Sequence, residues 1–325
     1  MSTIPYTKQL ISFEEQVDLL KDRGMSVENE DKAVHILQNV SYYRLSGYWY
    51  PLLEDKENHV FKPGATFDTV FAIYKFDSKL RKLIITELEK IEVAVRTQIV
   101  HILSQRYDGY WFTNAALFTS PTKHAKALIK IAEEYNRSDE EFVTAFKNKY
   151  SNPFPPSWMT MEITSFGSLS ILYSNLKPGK TKREIANYFG LPDTVLESWL
   201  HSIVYLRNIC AHHCRLWNRV LSIRPLMPRS PKKQFIQDKT VSNKRTYFIL
   251  CMVIYMLNTV NPKHSFIVRF KKLLAEYPNI DVKAMGFPVI GKMIHFGNLT
   301  TINLHIQVID NRVEGELNFR ISHNR

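Results

Sequence analysis

An arginine, an asparagine and two histidines stand close together in the run Arg207-Asn208-Ile209-Cys210-Ala211-His212-His213-Cys214-Arg215-Leu216-Trp217-Asn218, inside what otherwise reads as an apolar helix. Guanidinium is a fixed cation that matches phosphate oxygens, and imidazole takes up or releases a proton near neutral pH. Together they suit chemistry on a phosphodiester. A helix predicted over 194 to about 220 places Leu196, Trp199, Leu200, Ile203, Cys210, Cys214 and Trp217 on one face with Arg207 in its middle, where a cation needs an anionic partner or a wet groove. His212 follows five positions later, about 140° round the wheel at roughly 100° per residue. One straight helix does not stack the two side chains, so a local distortion or a second subunit must complete the site.

Less reactive roles exist for the same residues. Arg207 could instead pair with a buried carboxylate such as Glu92 or Glu162, the histidines satisfying polar neighbours. The Arg-to-His spacing recurs at Arg96 and His101, where Arg96 is expected to pair with Glu92 one turn back. Cys210, His213 and Cys214 are zinc-ligand types, but structural zinc takes four ligands and no second Cys or His cluster accompanies them. Cys210 and Cys214 are therefore expected to pack in the core, and neither a metal nor a cofactor is expected. Most rings of Tyr42-Tyr43-Arg44-Leu45-Ser46-Gly47-Tyr48-Trp49-Tyr50 are expected to fill the core, with Arg44 and Tyr48 as candidates for contact with RNA bases.

The elements that must position these groups read as helices. Ser12 and Glu15 have capping-box spacing ahead of Val17, Leu19 and Leu20, and Gly24 is the stop. A second helix starts near Asn29 and runs into the aromatic cluster, which ends at Pro51. Apolar residues at Val70, Tyr74, Ile84, Leu88, Ile91, Val95 and Ile102 predict the longest helix, from 67 to about 103. Others are expected over 124–135, 140–150, 161–176, 182–189, 243–259 and 266–276. The expected class is all-α, a helical bundle (63–276) with an N-terminal helical segment (1–62) and a C-terminal tail (277–325), in which alternation over 301–319 around Asp310-Asn311-Arg312 predicts a small β-hairpin. Two proline-rich breaks, at 152–156 and 224–233, interrupt the helices.

The 325 residues carry 43 Lys and Arg against 31 Asp and Glu, a formal charge of +12, which favours a polyanionic partner, nucleic acid first and the surface of an anionic membrane second. Arg224, Arg229, Lys232 and Lys233 in the second break could track phosphates. The longest apolar run, 247–257, falls short of the roughly 20 residues of a spanning helix, so no membrane role is expected. The first ten residues lack the zones of an export signal, and with three cysteines the expectation is a cytoplasmic protein with reduced thiols.

Several separated motifs occur in a recognisable order: Tyr42 to Tyr48, Phe76-Asp77-Ser78-Lys79-Leu80-Arg81, Glu92 with Arg96, Ser165-Phe166-Gly167-Ser168-Leu169-Ser170, and Arg207 to Asn218. From about residue 13 to 288 the chain resembles the Abi family of bacterial abortive-infection proteins, of the AbiD and AbiF type. That family is placed in the HEPN superfamily, many of whose members are metal-independent ribonucleases with an arginine, a polar residue and a histidine a few positions on. Arg207, Asn208 and His212 fall on that motif. The resemblance implies a HEPN-like bundle and a site assembled where two such helices meet in a homodimer. It also implies association with RNA, including a small non-coding RNA, in phage defence or a toxin-like system. The tyrosine that toxin-type members carry two positions after the histidine is here Cys214, so silencing by nucleotidyl transfer is not expected. His213, Glu92 and Arg96 are expected to support the site, and Arg44, Tyr48, Arg215, Arg224, Arg229, Lys232 and Lys233 to contact RNA. The expected reaction is attack of a ribose 2′-hydroxyl on the adjacent phosphorus, with His212 as base and Arg207 on the phosphoryl oxygens.

Overall fold

The computed structural model of the protein describes residues 9–290 without 237 and 239, residues 5 and 7, and strand segments at 293–294 and 306–307. Among these residues are twelve α-helices, with β-structure confined to short pairs, so the fold is all-α. In chain order the helices are α1 Phe13–Asp22, α2 Glu30–Val40, α3 Tyr42–Trp49, α4 Phe67–Arg106, α5 Pro121–Asn136, α6 Glu141–Lys149, α7 Ser157–Ile163, α8 Phe166–Asn175, α9 Lys180–Tyr188, α10 Asp193–Ala211, α11 Thr246–Val260 and α12 Phe266–Glu276. Strands β1 Leu53–Asp55 and β2 Val60–Phe61 pair antiparallel, as do β3 Val289–Ile290, β4 Met293–Ile294 and β5 Ile306–Gln307 in that order. The hairpin expected around Asp310 lies outside the described residues apart from β5.

Local chemistry sets most boundaries. Ser12 and Glu15 close a reciprocal capping box on α1, satisfying two backbone donors that have no partner inside the helix. Asn29 caps α2 by accepting from the Lys32 N–H at 2.8 Å. Along α4, Val70, Phe76, Leu80, Ile84, Leu88, Ile91, Val95, Ile99 and Leu103 are all buried at steps of three, four or six residues, a stripe that makes a 40-residue helix stable through packing rather than propensity. Truncating one of them, such as Leu80→Ala, should cost about 2–5 kcal/mol. Every residue of α11 from Thr246 to Leu257 is buried, so it is a core helix with apolar contact all round.

One helix expected over 161–176 is two. Thr164 and Ser165 interrupt it, and Ser165 starts α8 by accepting from the Ser168 N–H. The break is held from outside: Arg96 donates to the Thr164 carbonyl at 2.8 Å, and the buried Glu134 carboxylate accepts the Ser165 N–H at 3.1 Å. Hydroxyl side chains that bond locally offer the backbone an alternative to the helix, which is why the run breaks there.

The chain forms two compact units, each gathering stretches from more than one of the three segments expected from the sequence. The first comprises the described residues of 1–87 with 207–217 and 265–280; the second comprises 88–206 and the described residues of 218–264 and 281–325. The core of the first includes Val17, Leu20, Leu37, Leu45, Trp49, Phe76, Leu80 and Phe270. In the second, Trp199, Phe235 and Tyr255 meet edge to face or tilted, with centroids 5.3–5.7 Å apart, and the Tyr255 hydroxyl donates to the Gly190 carbonyl at 2.8 Å. No helix among the described residues is long and apolar enough to cross a membrane.

Candidate active site

Helix α10 stops at Ala211, nine residues short of the expected end at 220. The His212 N–H still reaches the Asn208 carbonyl at 2.9 Å, but His213 turns left-handed at φ +56°. Its N–H bonds Cys210 O at 3.2 Å and the Cys214 N–H bonds Ile209 O at 2.9 Å, the paired bonds of a Schellman stop. Glycine normally takes this position; a side chain there costs on the order of 1–2 kcal/mol, and strain of this kind collects at functional sites. No glycine marks the stop, which is why the apolar spacing reads on to 220.

The early stop changes which side chains face water. Arg207, expected in the middle of the buried face, is exposed, and so are Asn208, His212, His213 and Cys214. Over the last turn the buried face narrows, from Leu196, Trp199, Leu200, Ser202 and Ile203 to Leu206, Ile209 and Cys210, and Arg207 falls outside it. A single wheel assumes one packing partner along the whole helix; α10 changes compact unit at residue 207, and the wheel loses its meaning there. Cys214 does not pack in the core as expected, whereas Cys210 does, and burial pushes the Cys210 thiol up to about 12. The two sulfurs thus sit in opposite environments. Among the described residues no three His, Cys, Asp or Glu side chains are grouped to hold a metal ion.

What holds the turn is a carboxylate 139 residues upstream. Asp77, 0% exposed, accepts the backbone N–H groups of Leu216 at 3.2 Å and Trp217 at 2.6 Å, the Tyr48 hydroxyl at 2.7 Å and the Arg81 guanidinium. Burial pushes the Asp77 carboxyl above the ordinary carboxylate value, while the Arg81 charge and the hydrogen bonds from Tyr48, Trp217 and Leu216 act the other way and favour its ionised form. Burial works most strongly to lower the Arg81 pKa, but Asp77, Tyr48 and Cys210 together outweigh it and the pKa is raised. Arg44 donates to the His213 carbonyl at 2.8 Å, and Gly47 brings α3 against Arg215: a Cβ there would lie 3.7 Å from Arg215 Cδ and Nε. Tyr48, a candidate RNA contact, is 1% exposed with its phenol spent on Asp77, so its ring is core and offers no face to a base. The signal for Asp77 was in the sequence: an acid and a base four apart, Asp77 and Arg81, on the buried stripe of α4 beside Phe76, Leu80 and Ile84.

The remaining candidates belong to the second unit. Arg96 is half-buried; burial lowers its pKa against the opposing charges of Glu162, Glu92 and Glu134, and its hydrogen bond pins the α7–α8 break. Glu92 is half-buried beside it on α4. In the basic loop Arg224, Arg229 and Lys232 are exposed, while Lys233 is half-buried and bonds the Thr259 hydroxyl. The loop backbone is tied down where Trp199 Nε1 donates to Leu226 O at 2.8 Å and Leu226 N donates to Ser198 Oγ at 2.9 Å.

A family model of Abi-like proteins matches residues 35–218, more than half of the chain and every motif from Tyr42 to Asn218. The chain belongs to the Abi-like protein family. The match takes in the Asp77 anchor and the whole turn after α10, and it ends before the basic loop of 224–233. Membership points to abortive-infection phage defence for this Abi-like protein. No curated protein and no solved structure matches the chain.

Proposed function

We propose that this Abi-like protein is an endoribonuclease of the HEPN type that cuts single-stranded RNA without a metal ion, acting as a homodimer in the cytoplasm. The observation that carries this is the exposure of Arg207, Asn208 and His212 on the last turn and cap of α10, at a turn whose backbone is fixed by a buried carboxylate. His212 takes the proton of a ribose 2′-hydroxyl; the 2′-oxygen bonds the adjacent phosphorus and the bond from phosphorus to the 5′-oxygen breaks. Arg207 stabilises charge on the phosphoryl oxygens, and Asn208 orients the phosphate. A second copy of the chain supplies the acid, a second His212 that protonates the leaving 5′-oxygen. The products are a 2′,3′-cyclic phosphate and a 5′-hydroxyl. Held inactive until infection, such a nuclease would attack RNA and stop the cell from supporting the virus.

DNA has no 2′-hydroxyl to attack with. A 2′-deoxy substitution at the cut position is expected to abolish cleavage and a chelator to leave it unchanged; cutting that survives the first or dies with the second removes the mechanism. His212→Ala should lower the cleavage rate by roughly 10²-fold or more and keep RNA affinity.

A second function is favoured by the exposed Arg224, Arg229 and Lys232 and the formal charge of +12: a non-catalytic module that holds a small non-coding RNA. If wild type and His212→Ala leave RNA equally intact while both bind it, this second function is the correct one.

A further inference from the structure

Helix α3 buries Leu45, Tyr48 and Trp49 and turns the opposite face outward. Tyr43, Gly47 and Tyr50 lie on that face at i, i+4 and i+7; Tyr43 is 90% exposed and Tyr50 is 50% exposed. Gly47 has no side chain to cover the middle of the face, and the Arg215 stem lies against it there. Lys56 Nζ stands 5.3 Å from the centroid of the Tyr50 ring. At the other end Arg44, next in the chain to Tyr43, donates to the His213 carbonyl and so ties the helix to the turn that carries His212. The start of α3 is itself fixed, with the Arg44 N–H on Ser41 Oγ at 3.4 Å and the Ser46 hydroxyl on the Tyr43 carbonyl at 2.7 Å.

We propose that Tyr43 and Tyr50, with Arg215 between them, form a stacking track for unpaired RNA bases that leads the adjoining phosphodiester to His212. The track rests on the RNA-cleaving function above and names how single strands are selected. Tyr50 caps α3 in a helical conformation, so seven helical rises set its Cα about 10 Å from that of Tyr43 along the axis, close to three base steps at roughly 3.4 Å per nucleotide of one strand. A short run of stacked bases therefore reaches from one ring to the other while Arg215 faces its middle. Every base has a π-face, so the track is tolerant of sequence, and a duplex hides those faces inside its own stack.

The test is binding of a short oligoadenylate single strand carrying 2-aminopurine, measured on the full chain in the His212→Ala background so that the RNA stays uncut. Tyr43→Ala and Tyr50→Ala are each expected to weaken binding about tenfold and to lose the 2-aminopurine quench, while Tyr43→Trp keeps both. The dependence of affinity on salt should not change, because the rings carry no charge, and affinity for a duplex of the same sequence should not change either. Unaltered single-strand affinity in both alanine variants overturns the track even where His212-dependent cleavage is observed. A tenfold loss supports it even where the wild type leaves RNA intact, so the two ideas fail separately. Should Tyr43→Ala convert a dimer to monomer on gel filtration with the quench preserved, the face is a contact between copies and the track is wrong.

Discussion

Two regions of this chain present cations to water, the turn after α10 and the loop over 224–233, and they are held in opposite ways. The turn hangs on a charge: Asp77, wholly buried, grips the Leu216 and Trp217 N–H groups while Arg81 and Tyr48 hold Asp77. The loop hangs on neutral hydrogen bonds, through Leu226 to Trp199 and Ser198 and through the Lys232 N–H to the Gly190 carbonyl, with its exposed cations on either side of Leu226. The family match covers the turn and stops before the loop. Cutting a bond requires groups placed to within a fraction of an ångström, whereas attracting a polyanion requires only charge nearby. A buried ion pair is an expensive way to hold backbone, and it is spent where placement matters.

Removing the anchor should give the largest effect. Asp77→Ala leaves Arg81 buried without its anion, and urea unfolding should show a loss of about 3–5 kcal/mol together with loss of RNA cleavage. A loss below about 1 kcal/mol would mean that the turn is held by something else. Arg44→Ala cuts the tie to the His213 carbonyl at an exposed position, so the expected stability loss is only about 1 kcal/mol. Its cleavage rate should fall about tenfold through misplacement of the turn, with the affinity for uncut RNA changing less than the rate. In the loop, Arg224→Ala, Arg229→Ala and Lys232→Ala should leave stability within about 0.5 kcal/mol. Each should reduce the slope of log affinity for single strands against log salt by about 0.7 where that cation meets a phosphate; unchanged slopes in all three would remove the loop from the RNA surface. At neutral pH the thiols have the smallest effect on stability. Cys214 should react with a maleimide in the folded protein, and Cys210 and Cys251 only on unfolding. Burial pushes both buried thiols up to about 12 from an ordinary 9.0, so folding favours the protonated form. Their contribution is complete below about pH 9 and is lost as pH rises toward about 12, at no more than about 1.4 kcal/mol per pH unit for each thiol. A stability that is flat across that window, or equal labelling of all three cysteines, contradicts the burial.

The parts of the fold legible in the chain are those whose cause is local. The Ser12 capping box, the Asn29 cap and the apolar stripe of α4 act over a turn or two, and α1, α2 and α4 form where those signals stand. The site residues were legible by type, since guanidinium, amide and imidazole within six positions suit a phosphodiester whatever surrounds them. The end of α10 was not legible, because His213 adopts a conformation that glycine usually announces. Tyr48 and Tyr43 sit in one aromatic cluster, and nothing in their spacing tells the buried ring from the exposed one without knowing which face of α3 meets the core.

Composition, periodicity and capping residues determined by themselves that this chain is a basic, helical protein with a candidate phosphodiester site near position 210, because helix formation and net charge depend on near neighbours and on sums. Only the tertiary structure decided that α10 ends at Ala211, that Arg207 faces water and that Asp77 holds the turn. The last of these depends on two hydrogen bonds between residues 139 and 140 positions apart, and no local pattern encodes which distant N–H a buried carboxylate will meet.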